Sequence, residues 1–319
     1  MGKLEQIGFY TLSDQRAANA SASSTLQRCE LIVTGACNFK CPYCRGVGEH
    51  VPIGLASAIV SSWAKDGLKA VRFSGGEPTL YPSLVELVSI AKLGGIKRIA
   101  VSTNGSSTRA LYLALINAGV NDFSVSLDAC CAEDGDKMAG GVGGSWNTVL
   151  SNIQYIASKV YTTVGVVLTP DNASSLNGII ALAASLGVAD IRVISAAQWT
   201  PTLPAPYIEQ RFLAKYPILA YRVGNIAKGR AVRGLRKEDS HRCGLALDDM
   251  AVMGNYHYPC IIYMREGGAP IGRMDGNVRQ DRERWFNAQD THNDPICKGN
   301  CLDVCADYNN CYEAYHTTR

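Results

Sequence analysis

Charge is scarce in this sequence: Asp, Glu, Lys and Arg make up 18% of its 319 residues and sum to +3 at pH 7. So small an imbalance leaves no electrostatic footprint for nucleic acid, and a nucleic-acid partner is unsupported on this ground. Long apolar runs are absent too. No stretch reaches the ~18 uninterrupted apolar residues of a membrane helix, and residues 1 to 28 hold nothing like a signal peptide. Met1-Gly2 does not continue as a myristoylation signal, because Gln6 stands where that signal needs Ser or Thr. These absences predict a cytoplasmic protein with no membrane partner. Apolar residues at 47% argue against a disordered half and suffice for one large domain plus a smaller one.

Cysteine, by contrast, is abundant: there are twelve. In a chain without a secretory signal they point to metal ligation or redox chemistry rather than disulfides, since the cytosol keeps thiols reduced. They are also grouped. Cys37, Cys41 and Cys44 sit in one loop, Cys130 and Cys131 are adjacent, Cys29 is alone, and Cys243, Cys260, Cys297, Cys301, Cys305 and Cys311 come late. The loop Cys37-x3-Cys41-x2-Cys44 follows an apolar run, Leu31-Ile32-Val33, that reads as a strand. Clusters held by cysteine normally take four protein ligands. Three thiolates in one loop therefore leave one iron of a cluster open to a cofactor or substrate. The alternative is structural zinc, but zinc usually pairs a C-x2-C with another or with histidines, and the first 242 residues offer no such fourth ligand.

A second motif, Phe73-Ser74-Gly75-Gly76-Glu77-Pro78, ends the next strand-like run. Its glycines allow close approach of backbone to a ligand. With Tyr43 before the last cysteine, the two motifs together resemble the signature of the radical S-adenosylmethionine (SAM) superfamily. The resemblance implies a 4Fe-4S cluster on Cys37, Cys41 and Cys44, with SAM chelating its open iron. It also implies that Ser74, Gly75, Gly76, Glu77 and Pro78 form the turn that holds the SAM amino group, and that Tyr43 belongs to the cofactor site.

Along the chain, short β-branched runs alternate with longer helical patterns. Strands are expected at Glu30-Thr34, Lys69-Phe73, Lys97-Thr103, Asp122-Leu127, Thr162-Leu168 and Asp190-Ile194, with helices around Leu55-Lys65, Ser83-Leu93, Thr108-Ala118, Trp146-Lys159 and Leu176-Leu186. Such βα repetition predicts an α/β fold with a parallel sheet, and the apolar strands suggest burial on both faces. Closure into a partial (β/α)6 TIM-like barrel is what the resemblance adds. Ligands would collect at the carboxyl ends of the strands. There the resemblance assigns Ser102, Asn104 and Ser126 to the SAM ribose or carboxylate, although Asn104-Gly105 is also an ordinary turn dipeptide. Cys130 and Cys131, just past the fourth strand, read either as small buried side chains or as catalytic thiols that return a hydrogen atom to a substrate radical.

Division of the chain follows: an Ala/Ser-rich flexible arm (1–28), the barrel (29–200), a linker with one helix near Tyr207-Tyr221 and a basic run (201–242), and a cysteine-rich domain (243–319). Pro201, Pro204 and Pro206 end the repeat. The basic run, Lys228, Arg230, Arg233, Arg236, Lys237 and Arg242, reads as a solvated linker or as an anion-recruiting patch. Cys243 and Cys260 frame a hairpin turning near Gly254-Asn255. This region resembles the SPASM or twitch auxiliary-cluster extension. The resemblance implies one auxiliary 4Fe-4S cluster on Cys243, Cys260 and two of Cys297, Cys301, Cys305 and Cys311, with a second cluster left open. A zinc knuckle on Cys297, Cys301 and Cys305 along one helical face is the alternative.

The implied activity is reductive SAM cleavage followed by hydrogen abstraction from a C–H bond, with a flavodoxin- or ferredoxin-type electron donor. A cysteine loop beginning only 36 residues in leaves little room for a leader-binding domain, so a small molecule such as a sugar is expected, undergoing oxidation or epimerisation. A peptide or protein maturase, a nucleotide- or RNA-modifying enzyme, and a non-catalytic electron-transfer protein are the alternatives.

Overall fold

The computed structural model describes residues 15–46, 48–199 and 207–317; Met1, Gly2, Gln6, Pro201, Pro204 and Pro206 lie outside them. Strands and helices alternate from the start: β1 (Arg28–Thr34), α1 (Ile53–Lys65), β2 (Ala70–Gly75), α2 (Leu84–Leu93), β3 (Arg98–Thr103), α3 (Arg109–Ala118) and β4 (Asp122–Ser126). Two helices, α4 (Ala132–Met138) and α5 (Ser145–Ala157), then precede β5 (Tyr161–Leu168), α6 (Leu176–Ser185) and β6 (Asp190–Ser195). Local chemistry explains the boundaries. Helix α3, for example, starts at Thr108, whose side chain accepts from the Leu111 N–H, and ends at Gly119, whose φ of 133° disfavours a side chain.

The six strands form a parallel, open sheet in the order β6-β5-β4-β3-β2-β1. Its two faces differ, which corrects the expectation of apolar burial on both. Leu31, Val71, Phe73, Ile99, Val101, Phe123, Val125, Ile191 and Val193 pack into the main core with the helices. The alternating positions Glu30, Arg72, Ser74, Ser102, Ser126 and Arg192 line a cavity on the other face. Successive side chains on a strand point to opposite faces, so this two-sidedness is written into each strand as a period of two.

The chain past β6 does not form the single helix expected at Tyr207-Tyr221. Tyr216 is extended and separates α7 (Gln210–Lys215) from α8 (Pro217–Ala227). Proline at the first position of a helix needs no N–H donor, so Pro217 starts α8 without loss. The cysteine-rich region then extends the barrel's own sheet. Strand β7 (Asp249–Met253) runs parallel to β1, and β8 (Tyr256–Tyr258) and β9 (Gly272–Arg273) follow antiparallel. Arg28 and Asp249 face each other across that seam and pair at 2.9 Å. Helices α9 (Ile261–Arg265), α10 (Val278–Ala288), α11 (Pro295–Asn300) and α12 (Asp303–Thr317) complete it. Asp303 and Asp307, one turn apart on α12, bind Arg222 and Arg230 respectively. Among the described residues no helix is long and apolar enough to cross a membrane.

The segment expected to be a flexible arm is partly packed. Ala17 is fully buried with Tyr221, Leu245, Val304 and Tyr308, and Ser21 and Ser24 exchange side-chain to backbone hydrogen bonds. Small residues here allow the chain to lie against α12, which explains the Ala/Ser composition.

One buried cation holds the extension's hairpin. Arg282 on α10, 2% exposed, donates to the carbonyls of Tyr258, Pro259, Ala246 and Asp249. Arg282→Ala should strand these acceptors and lower stability by about 3 kcal/mol or more, because each unmet buried polar group costs ~1–3 kcal/mol. Anaerobic thermal unfolding measures this; a midpoint unchanged from the parent would show that the clamp contributes nothing.

Candidate functional site

The loop from Gly35 to Gly46 contains no helix or strand, so its position depends on neighbours. Two backbone bonds tie it to the end of β2: the Gly76 N–H donates to Thr34 at 2.8 Å and the Glu77 N–H to Ala36 at 2.7 Å. A Cβ on Gly75 would stand 2.2 Å from the Thr34 oxygen, and one on Gly76 2.3 Å from that of Ala36. Glycine is therefore required at both positions by the loop itself as well as by any ligand. From the other side, the Lys40 N–H donates to Ala139 at 2.8 Å, past Gly140, where a Cβ would meet the Lys40 oxygen at 2.3 Å.

Glu77 is buried, 1% exposed, and does not line the cavity. Its carboxylate accepts from the Thr79 N–H, the Thr79 and Thr103 hydroxyls and the Asn104 N–H at 2.6–3.0 Å. Burial pushes its carboxyl upward and these four donors pull it back. It latches the ends of β2 and β3, and Pro78 opens the turn behind it. Ser74, Gly75 and Gly76 do line the cavity, with Ser74 donating to Glu30 at 2.6 Å.

Ser102, Asn104 and Ser126 also line it. The Asn104 amide reaches Asn38 at 2.9 Å and the Cys37 sulfur at 4.0 Å, while Ser102 accepts from Arg72 at 2.9 Å. Tyr43 turns its hydroxyl to Asp128, and Gln198 donates to the Tyr43 carbonyl at 2.9 Å. Asp128 in turn accepts from the Val167 N–H at 2.6 Å, and burial raises its carboxyl to about 6. Sequence reasoning missed Asp128, although it directly follows Ser126-Leu127. Its signal was a carboxylate just past an apolar strand.

Cys37, Cys41 and Cys44 all border the cavity, of about 410 Å³. Burial raises the Cys37 thiol, and Cys41 to about 11. The late cysteines meet opposite them. Cys243, Cys260, Cys297, Cys301 and Cys305 surround one apolar hollow with Trp285 and Ile296, and Cys260 and Cys305 border the large cavity as well. Burial, then neighbouring thiols, raise Cys260 to about 12 and Cys301 well above its ordinary range. Five crowded thiols can ionise together only with cations among them, which is what an iron-sulfur core supplies. Donors for bound sulfur are in place: the Tyr263 N–H lies 3.4 Å from Cys260 and the Asn309 amide 3.7 Å from Cys243. The residues fit an auxiliary 4Fe-4S cluster.

Several expectations need correction. Cys311 does not border the hollow; it packs against the buried cluster of Ala17, Tyr221, Leu245, Val304 and Tyr308. The late thiols thus form one group, not two. Cys297, Cys301 and Cys305 do not share a helical face, because α11 ends at Asn300 and α12 starts at Asp303. Cys130 and Cys131 are exposed and do not border the cavity. Cys130 lies against Gly178 on α6, and Cys131 turns to Asp134 at 3.1 Å. Past Asp128 the chain has left the strand end for the outer helical layer, so a position near the strand's end in sequence does not face the lumen. The basic run divides: Arg233 borders the cavity, Arg230 and Arg242 bind within the extension, and Lys228 and Lys237 are exposed.

Comparison with known proteins agrees with this geometry. Residues 31–183 match the family model described as the Radical SAM superfamily. Among curated relatives, the GTP 3',8-cyclase of Chlorobaculum tepidum is 37% identical over 112 residues, 33% of either chain. A probable GTP 3',8-cyclase of Metallosphaera sedula is 26% identical over 180 residues, 53% of this chain and 55% of that one. The matches thus span between a third and about half of those relatives' length. Among solved structures, Streptococcus suis SuiB bound to S-adenosylmethionine superposes with a TM-score of 0.61 at 14% identity, over 89% of this chain and 67% of that one. Native anSMEcpe with bound AdoMet gives 0.59 at 15%, over 92% and 97%. These two establish a shared fold that includes the cysteine-rich region.

The split between Cys311 and the other five thiols can be tested by iron content. Cys311→Ala should load iron as the parent does. Cys260→Ala should lose about four irons per chain, one cluster. Equal loss in both variants would reject the five-thiol grouping.

Proposed function

From the radical SAM domain at residues 31–183, we propose that this protein cleaves SAM reductively and abstracts a hydrogen atom from a small polar substrate held between two iron-sulfur sites. One observation carries the reading: a single cavity is bordered by Cys37, Cys41 and Cys44 and also by Cys260 and Cys305. An electron-transfer protein would have no use for a chamber between its clusters. When bound, the cluster and SAM supply a 5'-deoxyadenosyl radical that attacks unactivated C–H bonds.

The chain's own residues bind, orient and exclude. Cys37, Cys41 and Cys44 hold the SAM-binding cluster, and Gly75 and Gly76 present backbone to the methionine end of SAM. Ser102, Asn104 and Ser126 offer polar groups from the next two strand ends. Tyr43, fixed by Asp128, keeps the cysteine loop in register with β4. Phe39, Met138 and Trp146 form an apolar side of the cavity, which keeps water from the reacting centre. Four of the five thiols Cys243, Cys260, Cys297, Cys301 and Cys305 would supply the auxiliary ligands. A flavodoxin- or ferredoxin-type protein provides the electron.

Relatives named GTP 3',8-cyclase favour a nucleotide-like substrate over a neutral sugar. The SuiB structure bound to precursor peptide SuiA is a likeness of fold and adds no weight to a peptide substrate. With Cys130 and Cys131 outside the cavity, epimerisation loses the thiol expected to return hydrogen, and a net oxidation or ring closure is the better reading.

Replacing Cys37, Cys41 and Cys44 together with Ala should abolish 5'-deoxyadenosine formation and remove about four irons, while the auxiliary site stays loaded. Product formation at the parental rate in this triple variant would reject the proposal.

A further inference from the structure

The cavity wall carries an imbalance of charge. Among the described residues seven of its side chains are arginines and three are carboxylates. All three carboxylates are engaged: Asp249 with Arg28 at 2.9 Å, Asp128 with Tyr43 and Val167, and Glu30 with Ser74 at 2.6 Å.

Three arginines are under-used. Arg192 on β6 donates to the Ser124 hydroxyl at 2.9 Å and has no carboxylate partner among the described residues. Arg233, 3% exposed, gives its Nε to the Ser195 carbonyl at 2.9 Å; its Nη1 is buried without a hydrogen bond, and the Glu266 carboxylate stands 3.8 Å away. Arg222, 0% exposed, binds Asp303 through Nη1 and leaves its Nε buried and unpartnered. All three border the cavity. Arg233 also reaches β6 itself, since the carbonyl it binds belongs to Ser195, three residues past Arg192 on that strand. Burial draws each guanidinium down to about 10. Arg192 thus has no paired acid among the described residues, and Arg222 and Arg233, although each stands beside one acid, keep a buried N–H without an acceptor; unmet buried donors are costly, and an anion in the cavity would meet them.

We propose that Arg192, Arg222 and Arg233 form a subsite for a phosphoryl group of the substrate. The inference rests on the reading of this cavity as a substrate chamber. A guanidinium fork matches one face of a carboxylate, so three forks exceed what a single carboxylate can accept. A phosphoryl group offers three oxygens and up to two charges. Cys305 acts on the charges of both Arg222 and Arg233, so the anion would be held at the auxiliary end of the chamber, with the remainder of the substrate extending toward Gly75 and Gly76. Neither Arg192, on a strand, nor Arg222, in a helix, belongs to the basic run; only Arg233 does.

The test is calorimetric titration of the anaerobically reconstituted holoprotein with inorganic phosphate, and separately with acetate, in a buffer free of either. Phosphate should bind once per chain and acetate far more weakly. Arg192→Gln and Arg233→Gln should each weaken phosphate about tenfold, the loss of one charge-assisted hydrogen bond. Arg192→Lys, which keeps the charge and loses the fork, should fall between parent and Gln variant. Arg236→Gln, whose guanidinium is exposed and paired with Asp239, should bind as the parent does. Iron content equal to the parent's certifies each variant as folded. Phosphate binding indifferent to Arg192 and Arg233 would overturn the subsite, as would acetate binding as tightly as phosphate. Formation of 5'-deoxyadenosine by the parent, measured in the same preparation, separates the two readings. If the parent cleaves SAM while phosphate ignores the arginines, only the subsite fails. If phosphate follows the arginines but no cleavage occurs, the subsite stands and the proposed activity falls.

Discussion

Two hydrogen bonds, from the Gly76 N–H to Thr34 and from the Glu77 N–H to Ala36, set the position of the cysteine loop. The loop has no ladder of its own, and a segment without regular structure is ordered only as well as its attachments. These attachments require backbone contact closer than any side chain permits, which is why two consecutive glycines stand there. Glu77 then transmits the position of β2 to β3 through Thr103 and Asn104, and Asn104 returns to the loop through Asn38. The motif is thus a closed circuit of strand end, carboxylate, neighbouring strand end and cysteine loop. Its glutamate works from behind the cavity wall, not within it.

The second constraint is the seam between β1 and β7. Because β7 adds to the barrel's sheet in parallel register, the cysteine-rich region is fixed against the strand that leads into the Cys37 loop. Cys260 lies two residues beyond the β8 strand that returns from β7. Arg265, one turn further on, donates to the Gly75 carbonyl at 3.3 Å. Strand pairing and this one side-chain bond therefore join the segment that carries Cys260 to the Gly75-Gly76 turn at the cavity.

Electrostatics follows from the same architecture. The sheet's outer face meets helices and is mainly apolar, while the cavity-facing side carries Glu30, Arg72 and Arg192. Arginines placed there from β1, β2 and β6 lie in a partly dry lumen, where Coulombic terms are screened less than in water. Asp122 neutralises Arg72 and Arg98 near the strand starts. Among the described residues Arg192 and Arg233 have no equally close acid.

Much of this was legible in the chain itself. Strand and helix spacing and glycine stops are local properties, decided by sterics within a few residues, whereas the two-sidedness of the strands was not read from the chain. The two cysteine groups and the Gly75-Gly76 turn were visible for the same reason: loop chemistry is written contiguously. Contacts between residues far apart in sequence were not. Nothing near Cys311 distinguishes it from Cys305, yet one helical turn and a half along α12 turns it away from the hollow that the other five thiols share. Cys130 and Cys131 follow a strand end and still leave the lumen, because the chain bends outward after Asp128. Arg222 sits in an amphipathic helix and Arg233 in a basic run, and only packing across some eighty residues to Asp303 and the close approach to Ser195 bring them to one wall. Spacing along the chain determined which elements form and which loops carry chemistry. Burial, which depends on the whole fold at once, decided which side chains meet.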